Sequence, residues 1–372
     1  MAASKAIRGL LDVAQCSPSF SSLFKMCSGN VTPAQSAKML PPSSGLIRKL
    51  KLFLCRRSFL KLLIIALAML SLLSAKSKIS RDYRTSDNFT NPMPADPQRI
   101  FSGRKKELCP TVPPNLVGRV NISLTVPSME EIEKAHPELE PGGQFHPAEC
   151  RSRHRVAIII PYRDRAQHLP ALLHHITPIL QRQQIEYTIY VVEQAGNDSF
   201  NRGKLMNVGA LESLMRYSYD CFIFHDVDLL PEDDRNLYTC PEQPRHMSVV
   251  VNASNFQLLF NGSFGGVSAI AVQHFRTING YNNRFWGWGG EDDDMSSRLE
   301  FHGLKVTSYN ESIARYTMLQ HPKAVPNPDR FKIMAEGKSI FKTEGLNNIQ
   351  YKVLEVKLQR MYTWILADLK PS

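Results

Sequence analysis

The most unusual segment of this chain is FWGWGGEDDDM, residues 285–295, in which two tryptophans and three glycines run directly into four carboxylates. Consecutive acids repel one another, but in the first turn of a helix they face the positive end of the helix dipole, which offsets part of that repulsion. We therefore predict a helix that opens on these acids and ends before Gly303. Aromatic faces beside carboxylates commonly hold a sugar, because C–H groups pack on the ring and hydroxyls bond to the acids. The segment therefore also predicts a sugar site.

Two further segments contain residues that could bind a metal ion. In HDVDLLPEDD, Asp226 and Asp228 end an apolar run, and we predict one strand over residues 221–230 with both carboxylates on one face, where a hard divalent cation could bind. The alternative is an Asp pair that simply ends a strand. In YTMLQH, Met318 precedes His321 by three residues. A His–Asp pair suits Mn²⁺ or a similar first-row ion, whereas a core methionine and an ordinary histidine are the alternative.

A basic loop, PYRDR at residues 161–165, follows a strand-like run. Its arginines could form charge-assisted bonds to phosphate, or the loop could simply be solvated. The chain contains neither GxGxxG nor GxxxxGK[ST]. The sequence therefore argues against a dinucleotide-binding Rossmann site and against a P-loop.

Strand and helix patterns alternate around these segments. We predict strands over residues 156–162, 187–194 and 221–230, with helices over 165–184 and 201–217 between them. This alternation is typical of an α/β fold whose parallel sheet has right-handed crossovers. Such sheets bind ligands at the carboxyl ends of their strands, which is where Asp226 and Asp228 are predicted to lie.

The net charge of +11 is concentrated at the N-terminus, since residues 1–58 contain nine Lys or Arg and one acid. The main domain is therefore not expected to bind nucleic acid. Residues 59–75, FLKLLIIALAMLSLLSA, follow this basic segment. As a helix they would span roughly 25 Å, and a signal peptide or a buried helix are the alternatives. The charge asymmetry predicts a type II membrane protein with a cytosolic tail over residues 1–58, an anchor over 59–75, a flexible polar stem over 76–108 and a lumenal domain over 109–372.

The cysteines and glycosylation sequons fit this topology. The cysteines before or near the anchor, Cys16, Cys27 and Cys55, are expected to be free thiols, whereas the four beyond it can form disulfides with three possible pairings. Six N-x-S/T sequons also lie beyond the anchor, at Asn88, Asn121, Asn197, Asn252, Asn261 and Asn310.

From about residue 109 to the C-terminus the chain resembles the β-1,4-galactosyltransferase family, inverting enzymes of the Golgi. The resemblance is carried, in family order, by IIIPYRDR, QRQQIEYTIYVVEQAG, FNRGKLMNVG, FHDVDLLPEDDRNLY, FGGVSA, FWGWGGEDDD and PNPDRF. It implies an α/β GT-A (Rossmann-like) domain with a mostly parallel central sheet, preceded by a single transmembrane helix in the Golgi membrane. It also implies a Mn²⁺ cofactor and a UDP-sugar donor.

The resemblance assigns roles to individual residues. Asp292 matches the general base that deprotonates the acceptor 4-hydroxyl, and Trp288 matches the tryptophan of a mobile loop that closes over the donor. The implied metal ligands are Asp228, Met318 and His321. The implied donor site comprises Pro161, Tyr162, Arg163, Asp164, Arg165, Phe200, Asn201, Arg202, Val227, Asp228, Ser263, Trp288 and His321. The implied acceptor site comprises Gly290, Glu291, Asp292, Asp293, Arg330 and Phe331, and the implied disulfides are Cys109–Cys150 and Cys221–Cys240.

One position departs from the family pattern in a way that bears on the donor. Ser263 stands before FGG, where galactose-transferring members commonly have a tyrosine near the donor C2 substituent. Serine leaves room for an acetamide, so we expect UDP-GalNAc to be used slightly in preference to UDP-Gal, although a vacant pocket does not strongly reject the smaller sugar. A glycan at Asn261 would crowd this edge, so we expect that sequon to be unoccupied. The expected acceptor is a GlcNAc- or Glc-terminated glycan of a glycoprotein or glycolipid.

Two other function classes compete with a transferase. A glycosidase could use Glu291 and Asp292 as its carboxylate pair, but adjacent residues rarely set the separation that such enzymes need. An inactive sugar-binding protein would not need a base and a set of metal ligands. A UDP-sugar hydrolysis assay with and without Mn²⁺ would separate the three classes.

Overall fold

The computed structural model describes residues 106–369, except residue 124 and residues 258–262. The predicted tail, the anchor over residues 59–75, nearly all of the stem, and the sequons at Asn88 and Asn261 lie outside the described residues. No helix within the described part is both long enough and apolar enough to span a membrane. At the start of this part, the Arg151 N–H donates to the Glu107 carbonyl at 2.8 Å.

The described residues form helices and strands in alternation over much of the chain. The helices are α1 (Met129–Ala135), α2 (His168–Arg182), α3 (Arg202–Arg216), α4 (Val272–Thr277), α5 (Glu291–Phe301) and α6 (Arg330–Glu336). The strands are β1 (Gln144–Phe145), β2 (Arg155–Tyr162), β3 (Glu186–Gln194), β4 (Cys221–His225), β5 (Leu229–Pro231), β6 (Arg245–His246), β7 (Val250–Val251), β8 (Val267–Ala271), β9 (Arg315–Met318), β10 (Lys352–Leu358) and β11 (Thr363–Asp368).

The large sheet has the strand order β10-β11-β3-β2-β4-β8-β6, with β1 paired to β3. Its central strands β11, β3, β2 and β4 run parallel. The outer pairings, β10 with β11, β4 with β8, β6 with β8 and β1 with β3, are antiparallel. The predicted α/β class is thus confirmed, but the expectation of a mostly parallel sheet holds only for the centre, and the sheet as a whole is mixed. The β10–β11 pair is a hairpin, and a hairpin can only be antiparallel.

The β2 strand shows why a continuous apolar run becomes the middle of this sheet. Alternate side chains point to opposite faces of a strand, and here both faces are covered. Val156, Ile158 and Ile160 pack in one core with α2, whereas Ala157 and Ile159 pack in a second core with α3. The strand therefore needs apolar residues at every position, in the way that its sequence suggested.

The prediction of one strand over residues 221–230 is wrong. Strand β4 ends at His225, and β5 begins at Leu229 in a separate three-stranded sheet with the order β5-β9-β7. A turn separates them, in which the Leu229 N–H donates to the Asp226 carbonyl at 3.3 Å. Apolarity did not reveal the break, because the strands on both sides of the turn are fully buried. Asp226 and Asp228 therefore lie in a turn and not on one face of a strand.

Two disulfides stabilise the domain, and both are those that the resemblance implied. Cys109 is bonded to Cys150, and Cys221 is bonded to Cys240. The second bond attaches the first residue of β4, the strand that leads into the Asp226–Asp228 turn, to the loop before β6.

Candidate functional site

The pairing of β5 with β9 brings together the three candidate metal ligands Asp228, Met318 and His321, which we call the metal corner. Leu229 is the register partner of Met318, and the Leu319 N–H donates to the Asp228 carbonyl at 2.8 Å. The chain then turns so that His321 Nε2 lies 3.0 Å from Asp228 Oδ2. All three residues that the resemblance gave as ligands thus come from the same pair of adjacent strands and their ends.

The chemistry of this corner fits a first-row divalent ion. His321 Nδ1 lies 2.8 Å from the Pro322 carbonyl, which can only accept, so Nδ1 donates to it and Nε2 is the ring nitrogen that faces Asp228. A carboxylate oxygen and an imidazole nitrogen this close together are ligand types that a first-row divalent ion such as Mn²⁺ would accept. Nowhere in the described residues do three or more His, Cys, Asp or Glu side chains gather as metal ligands. A third ligand from the protein would therefore be the Met318 thioether.

A buried hydrogen-bond chain supports the turn that carries Asp228. His225 Nδ1 donates to the Asp226 carbonyl at 2.8 Å, so His225 Nε2 accepts from the Tyr238 hydroxyl at 3.0 Å. That hydroxyl in turn accepts from Tyr316 of β9 at 3.0 Å. Burial lowers the pKa of His225 to about 4, so the ring is neutral at physiological pH. The chain ties the turn to β9, the strand that supplies Met318.

Arg202, the first residue of α3, connects the turn to the acidic helix α5. Its Nε donates to Asp226 Oδ1 at 2.6 Å, and its Nη1 donates to Asp292 Oδ1 at 2.6 Å and to Glu291 Oε1 at 3.4 Å. Its Nη2 donates to the Gly266 carbonyl at 3.3 Å. Asp226 thus forms an ion pair with Arg202, whereas Asp228 faces His321. The two carboxylates therefore have different roles. One planar guanidinium orients both the turn and the candidate base.

Asp292 sits in the first turn of α5 against the chain before β8. A Cβ at Gly265 would overlap Asp292 Oδ2, so only glycine leaves room for this carboxylate. The Asp292 side chain remains 34% exposed, whereas that of its neighbour Glu291 is 9% exposed. Burial, with help from the Asp292 charge, raises the pKa of Glu291 to about 7. Of the two adjacent carboxylates, Asp292 is the one that an external hydroxyl can reach.

All four acids lie in the first turn of α5, as the sequence predicted, and the helix ends at Phe301 before Gly303. Gly290 precedes the helix with φ of 99°, a value that favours glycine. Farther along the helix, Asp294 forms a fully buried ion pair with Arg298 at 2.6 Å. This acid is therefore structural. Asp293 lies next to Asp292, and partial burial raises the pKa of the Asp293 carboxyl group.

The tryptophan loop packs against the segment that leads into α6. The Trp288 N–H donates to the Val325 carbonyl at 3.0 Å, and the Asn327 N–H donates to the Trp288 carbonyl at 2.9 Å. The Arg330 guanidinium lies 5.4 Å from the Trp288 ring and 4.7 Å from the Phe331 ring. Trp288 and Phe331 are 59% and 69% exposed. They offer aromatic faces near the acids of α5, as expected for a sugar site.

The basic loop after β2 borders the metal corner. Asp164 and Arg165 line a cavity of about 390 Å³ together with His321, and the other lining residues are Ala166, Gln167, His168, Gln320 and Pro322. Arg163 lies on the Phe200 ring at 5.3 Å and donates to the Asp198 carbonyl at 2.6 Å. The structure thus brings the predicted donor loop and a predicted metal ligand to the walls of one cavity.

Some predicted donor residues are not open to a ligand. Asn201 is fully buried, because its side chain caps α3 at Lys204 and donates to the Asn283 carbonyl at 2.7 Å. Pro161 and Val227 are buried, and Tyr162 is half-buried. Ser263 is half-buried two residues before Gly265, the glycine that borders Asp292. Asn201 and Pro161 are therefore buried residues that support the site, and their side chains are not exposed to a bound donor.

Sequence reasoning missed two neighbours of Asp292. Gly265 is one, and the FGG motif pointed to it only as part of a resemblance. His246 of β6 is the other; it is buried, and burial lowers its pKa to about 4 although the Asp292 charge opposes that shift. A lone histidine in a short strand gives no sequence signal that it lies near Asp292, because this proximity depends on the pairing of β6 with β8.

Comparison with known proteins gives a consistent result. The family model described as the N-terminal region of glycosyl transferase group 7 matches residues 109–241. The one described as the N-terminal domain of galactosyltransferase matches residues 245–322. Both matches lie in the part of the chain that holds the site.

Several relatives match most of the same region. Beta-1,4-galactosyltransferase 4 of Cricetulus griseus is 44% identical over 264 residues, which are 70% of this chain and 76% of the relative. Beta-1,4-galactosyltransferase 1 of Bos taurus is 45% identical over 282 residues, 75% of this chain and 69% of the relative. The Homo sapiens protein of that name is 46% identical over 265 residues, 70% of this chain and 67% of the relative.

Solved structures with the same fold include the catalytic domain of Drosophila beta1,4-galactosyltransferase 7 in complex with xylobiose. It superposes with a TM-score of 0.51 and 29% identity, covering 58% of this chain and 94% of that one. A mutant of the same enzyme, solved in complex with manganese, UDP-Gal and xylobiose, matches with the same values. These matches show that the domain has a GT-A-type glycosyltransferase fold.

Proposed function

The chain belongs to the β-1,4-galactosyltransferase family, and we propose that it transfers Gal or GalNAc from a UDP-sugar in β-1,4 linkage to a GlcNAc- or Glc-terminated glycan. The acceptor glycan belongs to a glycoprotein or a glycolipid, and GalNAc is the slightly favoured donor sugar. The observation that carries the proposal is that Arg202 bonds both to Asp226, in the turn beside Asp228, and to Asp292. One guanidinium joins the turn of the Asp228–His321 corner to Asp292 on the acidic helix.

We assign the metal corner to Mn²⁺, with Asp228, Met318 and His321 as its ligands. The proximity of His321 Nε2 to Asp228 Oδ2 supports this assignment, as does the manganese in the Drosophila relative. When bound, Mn²⁺ supplies Lewis-acid stabilisation of the negative charge that develops on the diphosphate leaving group. Arg165 and Arg163 lie on the neighbouring loop, where charge-assisted bonds to the same diphosphate orient the donor.

The reaction is a single displacement. The acceptor 4-hydroxyl attacks the anomeric carbon while Asp292 Oδ2 accepts its proton. The new C–O bond forms as the bond to UDP breaks, the bonding electrons leave on the diphosphate, and the anomeric centre inverts. Arg202 holds Asp292 through Oδ1, which leaves Oδ2 beside Gly265 to receive the proton. The acceptor sugar lies among Gly290, Glu291, Asp293, Arg330 and Phe331, with Trp288 covering the donor.

The donor preference rests on Ser263. Ser263 lies two residues before Gly265, the glycine that borders the Asp292 carboxylate. An acetamide at C2 needs more room than a hydroxyl, and serine leaves that room where a tyrosine would fill it. Serine does not exclude galactose, so we expect UDP-Gal to be used as well.

For the rest of the chain we propose a type II topology in the Golgi membrane. Residues 1–58 are the cytosolic tail, residues 59–75 the anchor, residues 76–108 the stem and residues 109–372 the lumenal catalytic domain. The support is the basic charge before an apolar segment and the two disulfides beyond it.

The experiment is a donor panel on the full-length chain in detergent, with UDP-Gal and UDP-GalNAc offered to GlcNAc- and Glc-terminated acceptors. We expect transfer from both donors, faster from UDP-GalNAc, with loss of activity in EDTA and recovery with Mn²⁺. Transfer from UDP-Gal alone would favour a galactosyltransferase proper. Metal-independent cleavage of glycosides would instead favour a glycosidase, and sugar binding without turnover an inactive sugar-binding protein.

Two variants test the assigned roles within this panel. Asp228→Asn keeps the side-chain shape but removes the anion, so transfer should fall by at least about 10²-fold. Asp292→Asn should reduce kcat by about 10²–10⁴-fold while UDP-sugar still binds. A collapse of donor affinity in Asp292→Asn would contradict its role as the base.

A further inference from the structure

Strand β9 has backbone partners on both sides, but not along its whole length. On one side it pairs with β5 up to Met318. On the other side it pairs with β7, whose last register pair is Val251 with Tyr316. The chain then leaves the sheet in a 3₁₀ turn over Asn252–Ser254. The backbone of Met318 is therefore without a strand partner on this side.

The Asn252 side chain takes the place of that missing strand. Its Oδ1 accepts from the Met318 N–H at 2.7 Å, and its Nδ2 donates to the Met318 carbonyl at 3.5 Å. A carboxamide carries the same donor and acceptor groups as a peptide, so it can satisfy both backbone groups of one residue. On the far side of β9, the Leu319 N–H bonds to the Asp228 carbonyl. Met318 is thus held between Asn252 and the turn that carries Asp228.

Asn252 is also the first residue of the sequon Asn252-Ala253-Ser254. An N-glycan would be attached at Nδ2, the atom that faces the Met318 carbonyl. A glycan would replace one of the two hydrogens on that atom and place a bulky sugar beside β9, where Nδ2 lies 3.5 Å from the Met318 carbonyl. Asn252 is half-buried, whereas the sequon asparagines Asn121, Asn197 and Asn310 are exposed. The Asn252 side-chain amide can therefore bond to the backbone of Met318 or carry a glycan, but it cannot do both.

We propose that Asn252 is a positioning residue that fixes the backbone of Met318 for metal binding, and that its sequon is left unglycosylated for this reason. The inference rests on the proposed metal site. It assigns to Asn252 no contact with the metal or the substrate. Because Oδ1 makes the shorter of the two bonds, the acceptor atom provides most of the positioning.

The test measures Mn²⁺ affinity, by the loss of the free-ion EPR signal, for the full-length chain made in a eukaryotic secretory host. Removal of a residue that orients a metal ligand typically weakens binding about 10–100-fold, and we expect at least about a tenfold loss in Asn252→Ala. Asn252→Asp keeps the oxygen that accepts from Met318, so its affinity should stay within about threefold of wild type. Ser254→Ala removes the sequon but keeps Asn252, and it should bind Mn²⁺ as wild type does.

Two outcomes would overturn the inference alone. One is an Asn252→Ala protein that binds Mn²⁺ as tightly as wild type, even if its metal-free melting temperature is lower. The other is a glycan on Asn252 in the active wild-type protein, found by mass spectrometry of the peptide. If Asn252→Ala does not fold, a tenfold loss in Asn252→Asp would equally contradict the role given to Oδ1. A wild-type chain that binds no Mn²⁺ would overturn the proposed metal site itself, and the inference with it.

Discussion

Arg202 Nη1 donates to Asp292 Oδ1 at 2.6 Å, while Nε of the same guanidinium donates to Asp226 at the same distance. The candidate base is therefore tied to the turn that carries Asp228, one of the candidate metal ligands. A planar group with several fixed donors can hold two carboxylates at once, whereas an ammonium is a point charge on a flexible stem.

Arg202→Lys should therefore reduce kcat by about 10- to 100-fold, because a misplaced catalytic group is costly even when its charge balance is kept. Steady-state kinetics with both substrates would measure this. The matched control is Arg216→Lys at the other end of α3, where an arginine pairs with Glu212 at 2.8 Å away from the site. Equal losses in the two variants would contradict a specific role for Arg202.

Gly265→Ala should reduce transfer by at least about tenfold, because the added Cβ would displace the Asp292 carboxylate from its position beside residue 265. We expect the effect in kcat, with donor binding by calorimetry little changed. Full activity in this variant would mean that the carboxylate of Asp292 works from another position than the one seen here.

Ser263→Tyr should lower GalNAc transfer by at least about tenfold relative to Gal transfer, a differential of about 1.4 kcal/mol. The physical reason is the loss of room for the C2 acetamide. The measurement is the ratio of kcat/KM for the two donors on one acceptor. An unchanged ratio would show that Ser263 does not select the donor.

The stability of the domain should depend on pH through His246. Burial lowers the pKa of this histidine to about 4 in the folded protein, whereas an unfolded histidine titrates near 6.5. Between these values the unfolded state binds the extra proton, so the contribution of His246 is complete above about pH 6.5 and is lost as the pH falls toward 4. The loss is about 1.4 kcal/mol per pH unit.

Denaturant unfolding at pH 7.5 and 5.5 would test this expectation. His246→Gln cannot take up the proton, so its free energy of unfolding should fall by about 1.4 kcal/mol less than that of wild type over this interval. Parallel losses in the two proteins would mean that the pKa of His246 in the folded state is close to its value in the unfolded state.

The sequence by itself determined the parts of this protein that depend on local pattern. The run of apolar residues in β2 specified a strand covered on both faces, and the acids at residues 291–294 specified the start of α5. Both are local because one strand or one helical turn contains the whole cause. The motifs also led to the family, since they are specific when read together and in order.

The tertiary structure decided the contacts between segments that are distant in sequence. The break at residues 226–228 was hidden, because β4 and β5 are equally apolar although they belong to different sheets. Three contacts depend on which strands and helix ends become neighbours. They are the Arg202–Asp292 bond, the packing of Asp292 against Gly265 and the Asn252–Met318 bonds. Residue types give the chemistry that is available, but side-chain hydrogen bonds act only over about 3 Å. Only the folded backbone brings these groups within that distance.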